Sequence, residues 1–116
     1  MNNQTILVYY REQLHRNQRA LSEEQLTSNK SCGDEIAFLV QVVNERIIEA
    51  QYSVQACSIT IAAAEYLSRR IEGQFVADCH FEDLKKELLD EFGMSSEDRR
   101  APCALLAVTA LQKALL

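Results

Sequence analysis

Two apolar runs, EIAFLVQVV (35–43) and ERIIEAQYSV (45–54), are separated by a single residue, Asn44. The first is rich in apolar and β-branched residues, and in it Ile36, Phe38, Val40 and Val42 recur at every second position. A period of two places those four on one face of a strand. The pair of runs around Asn44 predicts an antiparallel hairpin. A hairpin by itself is marginal in water, so the remaining chain has to cover its apolar face.

The C-terminal half supplies that cover. Residues 57–73, CSITIAAAEYLSRRIEG, carry three alanines in a row, a basic pair near the end and Gly73 as a stop, which together predict a helix. In FEDLKKELLDEFG (81–93), Phe81, Leu84, Leu88 and Phe92 fall on one helical face, with Gly93 closing it. SSED (95–98) suits a capping turn, and Pro102 opens a last helix where its missing N–H costs nothing. In that helix, CALLAVTALQKALL, only Thr109, Gln112 and Lys113 are polar, and they share a narrow arc. A helix apolar nearly all round is deeply buried or docks on a partner. Near the start, residues 5–19 carry Ile6, Tyr10 and Leu14 at steps of four with Leu7 beside them, predicting an amphipathic helix over that range. His15, among Arg11, Arg16 and Arg19, is expected on its surface. Residues 21–31 are polar and read as a connection with room for a short extended piece. The expected fold is α+β, one domain over 1–116: a small antiparallel sheet with helices packed on it.

The charge balance narrows the partners. With 12 Lys and Arg against 17 Asp and Glu, the net charge is −5, which argues against nonspecific nucleic-acid binding. The pairs Arg69-Arg70 and Arg99-Arg100 are expected to be solvated helix ends. The N-terminus lacks the basic start and apolar stretch of a signal peptide. The longest mostly apolar run, 101–111, is too short to span a bilayer. A cytoplasmic protein without a membrane partner is the expectation. There are no internal repeats and no low-complexity tract.

In a reducing compartment, four cysteines point to metal binding, sulfur chemistry or burial rather than to a disulfide framework. Cys32, Cys57, Cys79 and Cys103 are spaced by 25, 22 and 24 residues with no CxxC pair, which excludes a zinc ribbon or finger. Any shared site must be assembled by the fold. Cys57 stands where a strand hands over to a helix and Cys103 in the first turn behind Pro102, both places that favour thiolate. Cys32 lies in a Cys-Gly-Asp turn, with Asp34 able to point into the same space. Three thiolates and a carboxylate suit Zn²⁺, or an iron–sulfur cluster with one exchangeable oxygen ligand. For each cysteine alone, the alternative is a buried small hydrophobe. Cys79, beside His80, reads as part of an ordinary helix-entry turn.

The order CGDEI, ERIIEAQYSVQACSITIAAAEYLSRRIEGQ and PCALLAVTALQKAL resembles the iron–sulfur scaffold family that includes IscU, SufU and the N-terminal domain of NifU, over about residues 5–116. In that family a Cys-Gly-Asp turn enters a strand, a second cysteine heads an Ala/Ser-rich helix and a third opens the final helix. The counterparts are Cys32, Asp34, Cys57 and Cys103. The resemblance implies a three-stranded antiparallel sheet with packed helices. It also implies a non-enzymatic scaffold that receives sulfur from a cysteine desulfurase, with Cys32, Cys57 and Cys103 as persulfide candidates. Such a scaffold assembles a transient [2Fe-2S] cluster and transfers it to recipient apoproteins. A SufU-like member would instead hold Zn²⁺ in the same site and act as a sulfur acceptor. A diverged member would keep only partner binding. Three departures stand out. VQAC places Val54 and Ala56 where the family usually has glycines. EDRRAPC replaces the motif bound by a dedicated chaperone, which argues against that partner, and Pro102 replaces a histidine. The 46 positions from Cys57 to Cys103 are closer to the short form than to the SufU type with its longer insertion, and the chain matches neither branch throughout.

Overall fold

The structure is a computed structural model and describes residues 2–17, 26–29 and 33–116. Helix α1 (Asn3–Arg11) leads to strands β1 (Thr27–Asn29), β2 (Asp34–Val43) and β3 (Arg46–Gln55). Helix α2 (Ser58–Ile71), a 3₁₀ turn (Val76–Asp78), α3 (Phe81–Glu91) and α4 (Ala101–Leu115) follow. The strands form one antiparallel sheet in the order β1-β2-β3. This is the expected α+β architecture, a three-stranded antiparallel sheet covered by helices.

The hairpin forms where the alternation predicts it, with Ile36 opposite Val54 and Phe38 opposite Tyr52. Its loop is the two residues Asn44 and Glu45, both at positive φ (52° and 66°). Two positive φ values in a two-residue loop match the twist of the flanking strands. Asparagine tolerates that conformation well, but glutamate pays a steric cost for it. A register shift between Gln41 and Val42 turns the strand end outward. Val42 is consequently exposed, whereas Ile36 and Phe38 are buried.

Helix α2 lies at the centre, against α1, α3, α4 and β3. Ala62, Ala63, Ala64, Leu67 and Ile71 are all fully buried, so the alanine triplet lets neighbours approach from every side. Helix α3 ends as the sequence suggests. Gly93 takes φ 63°, Met94 N–H bonds Leu89 O at 2.8 Å and Gly93 N–H bonds Asp90 O at 3.1 Å, a Schellman closure. Helix α4 buries Ala101, Ala104, Ala107, Val108, Ala110 and Leu111, while Thr109 and Lys113 face outward. None of the described helices is long and apolar enough to cross a membrane.

The N-terminal helix departs from the expected range of 5–19. Asn2 caps it by accepting from Thr5 N–H at 3.1 Å, and it ends at Arg11. Residues 18 and 19 lie outside the described residues. Leu14, expected on the buried side, is 74% exposed, and Leu7 is exposed as well. The reason is tertiary. Residues 15–17 run along the outer edge of β3, with Asn17 N–H on Tyr52 O (2.7 Å) and Tyr52 N–H on His15 O (3.1 Å). Backbone pairing with a sheet edge outweighs continuation of the helix.

His15 is therefore not on a helix surface. Its Nδ1 lies 2.7 Å from Glu65 Oε2 and its Nε2 lies 2.6 Å from Glu72 Oε1. Glu65 is fully buried on α2, and it also accepts from Tyr52 Oη (3.0 Å), Arg69 Nε (2.9 Å) and His15 N–H (3.0 Å). Arg69 accordingly belongs to this network and stacks over Tyr9, and Arg70 pairs with Glu87 at 2.9 Å. Both stand in the last turn of α2, the helix end expected from the sequence, with Arg70 exposed and Arg69 half-buried in the network. Burial alone would lower the His15 pKa, but the hydrogen bonds and charges of Glu65 and Glu72 raise it above its ordinary value. Burial alone would raise Glu65, but Arg69 and His15 hold it below its ordinary value.

Two outcomes follow from this geometry. Glu45→Gly relieves the positive φ and raises the stability by up to about 1 kcal/mol, read as a higher urea midpoint with an unchanged slope. The network's contribution is full between the ordinary pKa values of Glu65, 4.5, and His15, 6.5. It fades as pH rises through the raised His15 pKa, and also as pH falls through the lowered Glu65 pKa. Thermal melts across pH 4–9 should show the alkaline decline in the native protein and a weaker one in His15→Gln.

Candidate metal centre

Three elements converge at one end of the sheet. Gly33, at φ 72°, turns the chain into β2, whose first residue is Asp34. A Cβ at Gly33 would meet nothing within 4 Å, so its backbone conformation rather than crowding calls for glycine. Cys57 is the N-cap of α2, extended at φ −69° and ψ 165°. Cys103 is the third residue of α4, directly behind Pro102. Both thiols thus sit beside helix N-termini, where the unpaired N–H groups and the helix dipole favour negative ligands.

One ligand atom each from Asp34, Cys57 and Cys103 lies within 4.8 Å of the other two. Asp34 is buried (4% exposed), Cys103 half-buried and Cys57 exposed, so the cluster opens to solvent on the Cys57 side. The Asp34 carboxylate is held through both oxygens. Oδ1 accepts from Cys57 N–H at 3.1 Å, and Oδ2 accepts from the Thr60 hydroxyl at 3.1 Å. That hydroxyl also lies 3.0 Å from the Cys103 carbonyl oxygen and 3.4 Å from Cys57 Sγ. A buried carboxylate so paired keeps a fixed orientation and retains lone pairs for a further ligand. Two thiols and an oxygen at this separation fit a tetrahedral metal or an iron of a cluster.

Of the four residues the sequence suggests for the site, the structure brings Asp34, Cys57 and Cys103 together, while Cys32 lies outside the described residues. Cys79 takes no part. It ends the 3₁₀ turn, bonds Phe75 O through Sγ at 3.6 Å, and His80 serves as N-cap of α3. Burial raises the Cys79 pKa, which makes it a poor nucleophile. The sequence pattern does not single out Thr60. The signal for it is a hydroxyl three residues after Cys57, hence on the same helical face, in a stretch otherwise apolar over 61–64.

The NifU-like N-terminal domain family matches residues 2–116. The chain belongs to that family, one of iron–sulfur cluster assembly scaffolds. No curated protein matches it. Among solved structures, a candidate iron–sulfur cluster assembly scaffold for the SUF system from Fervidobacterium islandicum superposes with a TM-score of 0.75 at 17% identity, covering 98% of this chain and 96% of that one. A hypothetical protein gives 0.72 at 19% identity, covering 97% and 98%. A nitrogen-fixing NifU-like protein (N-terminal) from Brucella abortus gives 0.57 at 20% identity, covering 97% of this chain and 79% of that one. At these identities the solved structures establish the shared fold.

If the assembled residues act as ligands, Co²⁺ added anaerobically should give thiolate-to-metal charge-transfer absorption in the near ultraviolet. Cys57→Ser and Cys103→Ser should each lower that intensity, while Cys79→Ser should leave it unchanged.

Proposed function

We propose that this domain is an iron–sulfur assembly scaffold that takes sulfur from a cysteine desulfurase, builds a [2Fe-2S] cluster on Cys32, Asp34, Cys57 and Cys103, and passes it to apoproteins. The cluster is cargo rather than a resident cofactor. The observation that carries the reading is the mixed donor set, two thiols and a carboxylate within 4.8 Å on three separate elements of a NifU-like fold.

Each residue has a distinct task. The exposed Cys57 thiol is the more accessible of the two described site thiols. As thiolate it can attack the terminal sulfur of a desulfurase persulfide, forming a new S–S bond while the desulfurase cysteine leaves as thiolate. Two electrons from a reductant are then needed to release that sulfur as sulfide. Cys103 supplies a second thiolate and, in this reading, Cys32 a third. Asp34 supplies an oxygen ligand that holds iron less firmly than a thiolate does. A scaffold needs such a ligand, because its cargo has to leave.

The deciding experiment is iron, zinc and acid-labile sulfide analysis of anaerobically purified and reconstituted protein, wild type beside Asp34→Ala. The scaffold reading expects iron and sulfide in equal amounts with visible charge-transfer colour, persisting longer in Asp34→Ala. Tightly bound zinc without sulfide, together with faster turnover of a cognate desulfurase, would assign the site to a zinc-form sulfur acceptor instead. Neither metal nor colour in either protein would leave partner binding alone.

A further inference from the structure

Thr60 is fully buried, and its hydroxyl stands at the junction of every described part of the site. Within 3.4 Å of Oγ1 lie Asp34 Oδ2 from β2, the Cys103 carbonyl from α4 and Cys57 Sγ from its own helix. A hydroxyl has one proton and two lone pairs. It can donate to the carboxylate or to the carbonyl, but not fully to both. The Cys57 contact is one in which either atom can donate. The hydroxyl can therefore hand its proton from Asp34 Oδ2 to the Cys103 carbonyl without being left unpaired. A lost buried hydrogen bond would otherwise oppose any turn of the carboxylate.

Resting on the metal-site reading of Asp34, Cys57 and Cys103, we propose that Thr60 is a positioning residue that sets the orientation of Asp34 toward the bound metal. Cys57 N–H fixes Oδ1, and Thr60 fixes Oδ2, so removing the hydroxyl frees one side of the carboxylate to rotate. Hydrogen-bond partners of metal-ligating groups typically govern affinity by 10–100-fold when removed. The alternative role, a strut joining α2 to α4 through the Cys103 carbonyl, would act on stability and would not depend on Asp34.

The test uses the whole chain, with Zn²⁺ affinity measured by competition against a chromophoric chelator and Co²⁺ spectra as the second readout. Thr60→Val keeps the shape without the hydroxyl. It should weaken Zn²⁺ binding about 10–100-fold and shift the Co²⁺ ligand-field bands toward those of Asp34→Ala. Thr60→Ser keeps the hydroxyl and should bind Zn²⁺ like the wild type even though its melting temperature drops. In an Asp34→Ala background, Thr60→Val should have no further effect on affinity, since the residue acts through that carboxylate. Wild-type affinity in Thr60→Val, equal losses with and without Asp34, or a loss of affinity in Thr60→Ser would each overturn the assignment. A wild type that binds neither Zn²⁺ nor Co²⁺ would overturn the site reading itself. If the wild type binds and Thr60→Val binds equally well, only the role of Thr60 falls.

Discussion

The constraint on which the structure turns is that most of α2 is buried, packed against α1, α3, α4 and β3. A helix in that position must be small where neighbours press closest, and Ala62, Ala63 and Ala64 meet that demand. It must also pair any polar group it carries, because an unpaired buried donor or acceptor costs on the order of 1–3 kcal/mol. Its polar buried residues include Thr60, Glu65 and Ser68. Of these, only the Ser68 hydroxyl lacks a partner, and the other two each bring a distant segment to the helix. Thr60 gathers the start of β2 and the start of α4, and Glu65 gathers the segment after α1.

The two buried carboxylates are treated differently. Glu65 is surrounded by His15, Arg69 and Tyr52, and that set of donors and charges locks it as an anion. Asp34 has a backbone N–H and a hydroxyl, both neutral. Charge-assisted hydrogen bonds are roughly twice as strong as neutral ones. Glu65 is thereby committed to the fold, whereas Asp34 is oriented but remains available to a cation. The difference lies in the partners, since both groups are buried carboxylates.

How much of this the sequence disclosed follows from the range of each interaction. The hairpin, α2, α3 and the Schellman closure at Gly93 are set by local periodicity and punctuation, and these were legible. The Cys-Gly-Asp turn and the two cysteines at helix starts marked Asp34, Cys57 and Cys103, because a helix start is itself a local feature. The helix over 5–19 failed after Arg11, where pairing with the edge of β3, more than thirty residues away, decides the conformation. The placement of His15 is hidden for the same reason, its carboxylate partners being 50 and 57 positions distant. Thr60 carries no local signal of its contacts, because they depend on β2 and α4 meeting at one point.

The departure from the family pattern before Cys57 now has a structural meaning. Val54 pairs with Ile36 and Gln55 with Glu35, so β3 keeps its register to its last residue. Only Ala56 separates that strand from Cys57, the N-cap of α2. Glycines there would loosen the backbone, but Val54 is buried and fixes it. The Cys57 thiol is consequently held between a paired strand and a buried helix. The backbone of Cys103 is held in the same way by the first turn of α4, and Asp34 reaches the cluster from the first residue of β2. If the site holds a metal as proposed, the Asp34 carboxylate, paired only with two neutral donors, is a described group that can turn without moving the backbone that carries Cys57.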